Sequence, residues 1–175
     1  MNRYDKFYKI LIEEEGGWVN DPKDSGGETY KGVSRVYNPK WEGWRIIDEY
    51  KKTHKLVKGS IIKDASLDEL IKSFYKKNYY FPLGIEAFTD ELLALSLFDF
   101  GVNGGVKPAM KLLQYVLGIT EDGIVGKITY REANSQPSVG QRYNEARIDA
   151  YKKKKMFYRF GDGWISRVNK LESKL

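Results

Sequence analysis

Leu92-Leu93-Ala94-Leu95-Ser96-Leu97-Phe98-Asp99-Phe100 is apolar on almost every side of a helix. A helix with no polar stripe is normally the buried centre of a domain, because any solvent-facing side would carry charge. Thr89 is expected to cap it, and Gly101 to Gly105 to form the loop that follows. Further on, Pro108 suits a first helical turn, and Ala109, Leu112, Leu113 and Val116 share one face. Glu121-Asp122-Gly123 reads as a turn and Ile124 to Asn134 as a short helix. Ser138 is placed to cap a longer helix with Val139, Tyr143, Ala146, Ala150 and Phe157 in register. Gly161-Asp162-Gly163 is expected to end that helix before a last short one from Trp164.

Towards the N-terminus, Ser66 and Glu69 form a capping-box pattern. They open a helix whose face is Leu67, Leu70, Ile71, Phe74 and Tyr75, broken at Phe81-Pro82-Leu83-Gly84. Trp41 to Lys52 reads as a short helix, and Lys55 to Asp64 as a basic loop. Trp18 to Lys40 is rich in Gly, Asp, Asn and Pro, with Glu28 to Val36 the best strand candidate. The first helix is expected from Arg3 to Glu15, capped by Asn2 and stopped by Gly16-Gly17. The fold class is therefore mainly α (α+β): a helical bundle around a buried central helix, with a small extended region in the N-terminal third.

Composition narrows the chemistry. The chain has 175 residues, 41% of them hydrophobic, which is enough for a sizeable core without covalent staples. There is no cysteine, which excludes disulfides, thiol catalysis and zinc–thiolate sites. His54 is the single histidine, in a polar stretch with no Gly-x-Ser-x-Gly elbow to accompany it. No metal and no cofactor is called for, and any chemistry must come from carboxylates, hydroxyls and amides. The net charge of +6 favours an anionic partner such as nucleic acid, cell-wall polymer or membrane surface. No apolar run is long enough for a membrane span, and no apolar signal core follows Met1 to Lys6. The expectation is synthesis in the cytoplasm and export by a route this sequence does not encode.

Three consecutive glutamates end the first helix. Tyr4, Phe7, Tyr8, Leu11 and Ile12 cluster within about 140° of arc, and Glu15 falls near its middle. Glu13 points away and Glu14 lies at the edge. Desolvation on the core-facing side, helped by the negative helix end, raises a carboxyl's affinity for its proton. A general acid needs that property. The alternative is a helix that stops early and leaves Glu15 solvated. The next stretch, Gly16-Gly17-Trp18-Val19-Asn20-Asp21-Pro22-Lys23-Asp24-Ser25-Gly26-Gly27-Glu28-Thr29, supplies Asp21 and Asp24 as second carboxylates and Thr29 as a hydroxyl. Glycoside hydrolysis commonly uses such a carboxylate pair; a polar loop with Asx-turns is the plainer reading.

With Tyr30-Lys31-Gly32-Val33-Ser34 added, this segment resembles glycoside hydrolase family 108. The family's signature is Glu-Gly-Gly-aromatic, then Asp-x-Gly-Gly-x-Thr-x-x-Gly-Ile; here Trp18 stands where Tyr is commoner and Val33 where Ile is usual. The resemblance implies a lysozyme-like fold and N-acetylmuramidase activity, in proteins of phage endolysin and bacterial origin, some labelled secretion activators. It puts the catalytic glutamate on Glu15. Phage-type lysozymes are also similar, with a helix-ending Glu, then Asp, then Thr. Eight residues separate Glu15 from Asp24, as there, but four rather than five separate Asp24 from Thr29. The partner of Glu15 thus stays open between Asp24 and Asp21.

Farther along, Phe98 to Gly105, Leu112-Leu113-Gln114, Asp122-Gly123-Ile124-Val125-Gly126 and Gly163 to Val168 resemble the peptidoglycan-binding region that follows this hydrolase segment. The expected organisation is a catalytic region over 1–88 and a peptidoglycan-binding-like helical region over 89–175, packed into one body and monomeric. Trp18, Tyr30, Trp41 and Trp44 are candidates to stack on sugar rings, against a core role for each. Asn103 is a candidate to hydrogen-bond an N-acetyl group, against simple turn formation. The function expected is peptidoglycan hydrolysis by carboxylate acid catalysis. The rivals are a peptidoglycan binder that does not cut and a basic nucleic-acid-binding protein. The second draws on the charge and on Lys152 to Arg159 with interleaved aromatics, but it lacks any nucleic-acid-binding signature and 24 acidic residues dilute its charge.

Overall fold

The computed structural model describes residues 1–13, 15–21 and 26–175. The chain divides into two compact units, Met1–Lys76 and Lys77–Leu175. Among the described residues it is mainly helical, with eight α-helices and one three-stranded antiparallel sheet near the N-terminus. None of those helices is long and apolar enough to cross a membrane.

The first unit opens with α1, Arg3–Ile12, capped as expected by Asn2, whose side-chain oxygen accepts the Asp5 N–H at 2.8 Å. Tyr4, Phe7, Ile10 and Leu11 are its buried residues. Tyr8 and Ile12, expected on the same face, are only half-buried. The helix also ends at Ile12 rather than Glu15. Glu13 closes it in the right-handed region, and the Glu15 N–H then bonds back to the Ile12 carbonyl at 3.2 Å.

Gly16 and Gly17 are not the cap. A Cβ on Gly17 would lie 2.4 Å from the Ser60 carbonyl oxygen, so glycine is what lets the 59–60 segment approach. That segment then pairs with the next strand: the Trp18 N–H donates to the Ser60 carbonyl and the Gly59 N–H to the Trp18 carbonyl, each at 2.8 Å. The basic loop is thereby tied to the sheet.

The sheet comprises β1 (Trp18–Asn20), β2 (Glu28–Tyr30) and β3 (Val33–Ser34), in that spatial order. The single strand expected over Glu28 to Val36 is a hairpin instead. Lys31 and Gly32 sit at φ 42° and 77°, both left-handed, between the paired Tyr30 and Val33. Two consecutive left-handed residues make a type I′ turn, whose twist matches that of the strands it joins. Then follow α2 (Gly43–Lys51) and α3 (Ala65–Tyr75). Asp64 caps α3 by accepting the Leu67 N–H at 2.8 Å, displacing the Ser66–Glu69 box by two positions. Leu67, Ile71 and Tyr75 are its buried residues.

The second unit is built around α4, Glu91–Gly104, in which every residue from Leu92 to Gly101 is buried. It runs through the glycines expected to form a loop. Around it lie α5 (Val106–Leu117), α7 (Val139–Lys152) and α8 (Phe157–Ser173), with α6 (Lys127–Ser135) against α5. Asp90, not Thr89, caps α4 by accepting the Leu93 N–H at 2.9 Å, and its other oxygen accepts the Gly140 N–H of α7 at 2.9 Å. Ser138, at the N-cap position of α7, makes no side-chain cap. Nor do Gly161 and Gly163 break the chain: α8 is continuous across them. Asp99, buried on α4, accepts from Arg147 at 2.6 Å and from Arg167 at 2.8 Å, so one carboxylate joins α4, α7 and α8.

Candidate active site

Glu15 is half-buried just past the end of α1. The chain there is a turn, so the helix phase does not set its orientation. What lies against its carboxylate is the hairpin turn. A Cβ built on Gly32 would come within 2.8 Å of Glu15 Oε2 and 2.2 Å of the Tyr75 hydroxyl. No real side-chain carbon tolerates such distances, so the glycine opens the space in which a carboxylate and a phenol meet. Its positive φ independently favours glycine.

The turn is anchored from α3. The Tyr75 hydroxyl, on a buried side chain, donates to the Lys31 carbonyl at 2.8 Å. The Lys31 ammonium pairs with Asp68 at 3.0 Å. A non-glycine residue in the left-handed region costs about 1–2 kcal/mol, and these two bonds offset that at Lys31.

The sheet register sorts the other candidates by face. Cross-strand partners share a face, so Val19, Thr29 and Ser34 lie in one row, while Trp18, Tyr30 and Val33 lie in the other. Tyr30, a candidate for sugar stacking or for the core, is fully buried. Its hydroxyl accepts the Ile62 N–H at 3.0 Å and donates to the Ile62 carbonyl at 3.3 Å. Its alternation with Thr29 on β2 directs the ring into the core, so it is a structural residue. Trp44 is likewise core, its indole N–H given to the Asn38 carbonyl at 2.8 Å, with Trp41 edge-on to it.

Trp18 is half-buried and held by Glu28, which accepts its indole N–H at 2.7 Å. Glu28 also accepts from Arg35 at 2.6 Å and Lys51 at 2.5 Å, and Arg35 bonds on to Asp48 of α2. Burial by itself would raise the Glu28 pKa. The hydrogen bonds from Lys51 and Trp18 and the charges of Lys51 and Arg35 outweigh it and hold the carboxyl below its ordinary value. Sequence reading missed this network, although Glu28, Arg35 and Lys51 carry the charges that compose it.

Thr29 is half-buried and its hydroxyl donates to the Gly27 carbonyl at 3.4 Å. Asp21 is exposed just beyond β1. Asp24 lies outside the described residues. Asn103 belongs to the second unit, on the exposed side of α4, where its amide donates to the Asp99 carbonyl one turn back at 2.7 Å. His54 is exposed and stacks on Tyr50, with ring centres 4.1 Å apart. Within the first unit the structure therefore brings Glu15 together with Gly32 and Tyr75. Gly32 is part of the motif read above and Tyr75 of the apolar face of α3, but their meeting depends on tertiary packing that no local pattern records.

The first unit thus sets a half-buried carboxylate, just past the first helix, against a small antiparallel hairpin. Comparison with known proteins gives the class: the sequence profile of Glycosyl hydrolase 108 matches residues 8–105, and the chain belongs to that family. The solved structure of Brucella abortus SagA is similar to it, with a TM-score of 0.75 and 26% sequence identity over 98% of this chain and 92% of that one. No curated protein sequence matches the chain.

Proposed function

We propose that this protein is a peptidoglycan hydrolase of the N-acetylmuramidase type, with Glu15 as the general acid. The observation that carries the reading is the half-buried Glu15 carboxylate seated in the gap over Gly32, at the edge of the hairpin. Membership of the glycosyl hydrolase 108 family supports a polysaccharide substrate.

In this reading Glu15 gives its proton to the glycosidic oxygen as the bond from that oxygen to the anomeric carbon breaks. A water adds to the anomeric carbon and loses its own proton to a second carboxylate. Asp24 is the proposed base, with Asp21 the other candidate and Thr29 orienting the water. A water placed on the face opposite the leaving group gives inversion, which requires roughly 6.5–9.5 Å between the two carboxyl groups. Trp18 and Asn103 are proposed substrate contacts. The substrate lies in the cell wall, so the protein acts after leaving the cytoplasm.

Glu15→Gln keeps the size and polarity of the side chain and removes the proton. Loss of a general acid costs about 10²–10⁴-fold in rate. Wall-suspension clearing by the variant should fall by that factor with an unchanged melting temperature. A variant that clears walls at the parent rate would remove Glu15 from the mechanism.

A further inference from the structure

We infer that the tip joining α7 to α8 docks on the surface of an anionic lipid bilayer. The stretch Lys152-Lys153-Lys154-Lys155-Met156-Phe157-Tyr158-Arg159-Phe160 carries five cations and no acidic residue. The other 25 of the chain's 30 Lys and Arg are set against all 24 of its Asp and Glu, so almost all of the net charge of +6 is here. Local ion pairing cancels little of it. Lys152 pairs with Asp149 at 3.1 Å on the surface, where such pairs contribute little. Lys153, Lys155 and Arg159 have no acidic partner among the described residues.

Charge alone would suit any polyanion, and the apolar side chains beside it select the partner. Met156 and Phe160 are 41% and 44% exposed, and Trp164 is half-buried. Spaced four apart at the start of α8, these three lie in one row along the helix, with Arg159 beside them. Such a segment suits a bilayer interface. Ammonium and guanidinium groups meet lipid phosphates there, while rings and a thioether enter the acyl boundary. An anionic wall polymer would satisfy the cations and leave Met156 and Phe160 in water. Nucleic acid would need open ring faces on which to stack its bases, and cations already cover a face of each ring. Lys154 lies over the Tyr151 and Trp164 rings, 5.4 Å and 5.5 Å from their centres, and Arg159 over Phe160 at 5.2 Å. The tip is also held from behind: Arg147 of α7 and Arg167 of α8 both bond to Asp99 of α4, which fixes the helix pair that presents it.

Sedimentation with lipid vesicles tests this in the intact protein. At about 0.1 M salt, vesicles of phosphatidylcholine and phosphatidylglycerol in equal parts should bind it, and phosphatidylcholine alone should not. Lys153→Gln, Lys155→Gln and Arg159→Gln together should weaken binding roughly a hundredfold. Met156→Ser with Phe160→Ser should weaken it about tenfold, with the melting temperature unchanged. Brominated acyl chains should quench tryptophan emission in the parent and much less in Trp164→Phe, a readout that does not depend on the serine variant folding. Equal binding to both kinds of vesicle would overturn the inference, as would a folded serine variant that binds like the parent. Absence of acyl-chain quenching in the bound parent would overturn it too. Tighter binding of a single-stranded oligonucleotide, lost with the same three cations, would give the tip to nucleic acid instead. Binding is read here without turnover, so the outcome is independent of the assignment of Glu15.

Discussion

A methyl group at Gly32 would occupy the space that the Tyr75 hydroxyl and the Glu15 carboxylate share. Gly32→Ala must also hold a left-handed φ, at a cost of about 1–2 kcal/mol. The expected outcome is a loss of stability of at least that size in urea unfolding, together with loss of wall-clearing activity. Gly16→Ala is the contrasting substitution: nothing lies within 4 Å of its added Cβ, and its φ is not left-handed. It should be neutral or stabilising in the same unfolding assay, by up to about 1 kcal/mol. At this scale the motif in the sequence singles out Glu15 as the candidate acid, and its helical phase does not carry over to the structure. The helical wheel put it on a buried face, whereas α1 stops at Ile12 and Glu15 lies half-buried beyond it, against Gly32. Tyr30 stayed open between a sugar-stacking and a core role because an aromatic in a glycine-rich stretch gives no sign of which sheet face it takes. Only the register with Trp18 and Val33 decides that.

Between elements, two carboxylates each join several segments, and each makes a distinct prediction. Glu28 ties β2 to Trp18 of β1 and to Lys51 of α2. Its folded pKa lies below the unfolded value, so its contribution to stability is complete above the ordinary glutamate range of about 4.3 and is lost as pH falls through the lower folded value. In urea titrations, Glu28→Gln should therefore be less stable than the parent at pH 6, with the gap closing as the pH is taken below that range. A constant gap would mean that the charge is irrelevant. Asp99 is buried among α4, α7 and α8 and faces Arg147, whose side chain is fully buried. Removing one partner of a buried pair strands the other's charge, which costs about 3–5 kcal/mol. Asp99→Ala should destabilise by that amount, measured by chemical unfolding, and Arg147→Met by less. The helix caps show where element boundaries escape sequence reading. Ser66 and Thr89 are good capping residues, yet Asp64 and Asp90 do the capping. A neighbouring Asp satisfies the same preference, and the tertiary role of Asp90 at α7 settles which is used.

Across the whole molecule, the helical class was readable because one feature is unambiguous. The run from Leu92 to Phe100 has no polar face, and every one of those residues is buried. The weak points were glycines. Those at 101, 104, 161 and 163 read as breaks and are instead accommodated within α4 and α8. At Gly161 a Cβ would meet the Phe157 ring at 2.5 Å, so this glycine serves the packing of a side chain one turn earlier. The net charge of +6 remains consistent with attraction to an anionic wall, an attraction that salt would weaken. The central claim, however, concerns which bond is cut and by which carboxyl. Purified peptidoglycan digested with the full-length protein, and analysed by mass spectrometry after reduction of the new ends, tests it most directly. The account predicts fragments ending in reducing N-acetylmuramic acid, produced by the parent and absent with Glu15→Gln. Fragments ending in reducing N-acetylglucosamine, or equal digestion by the variant, would contradict it.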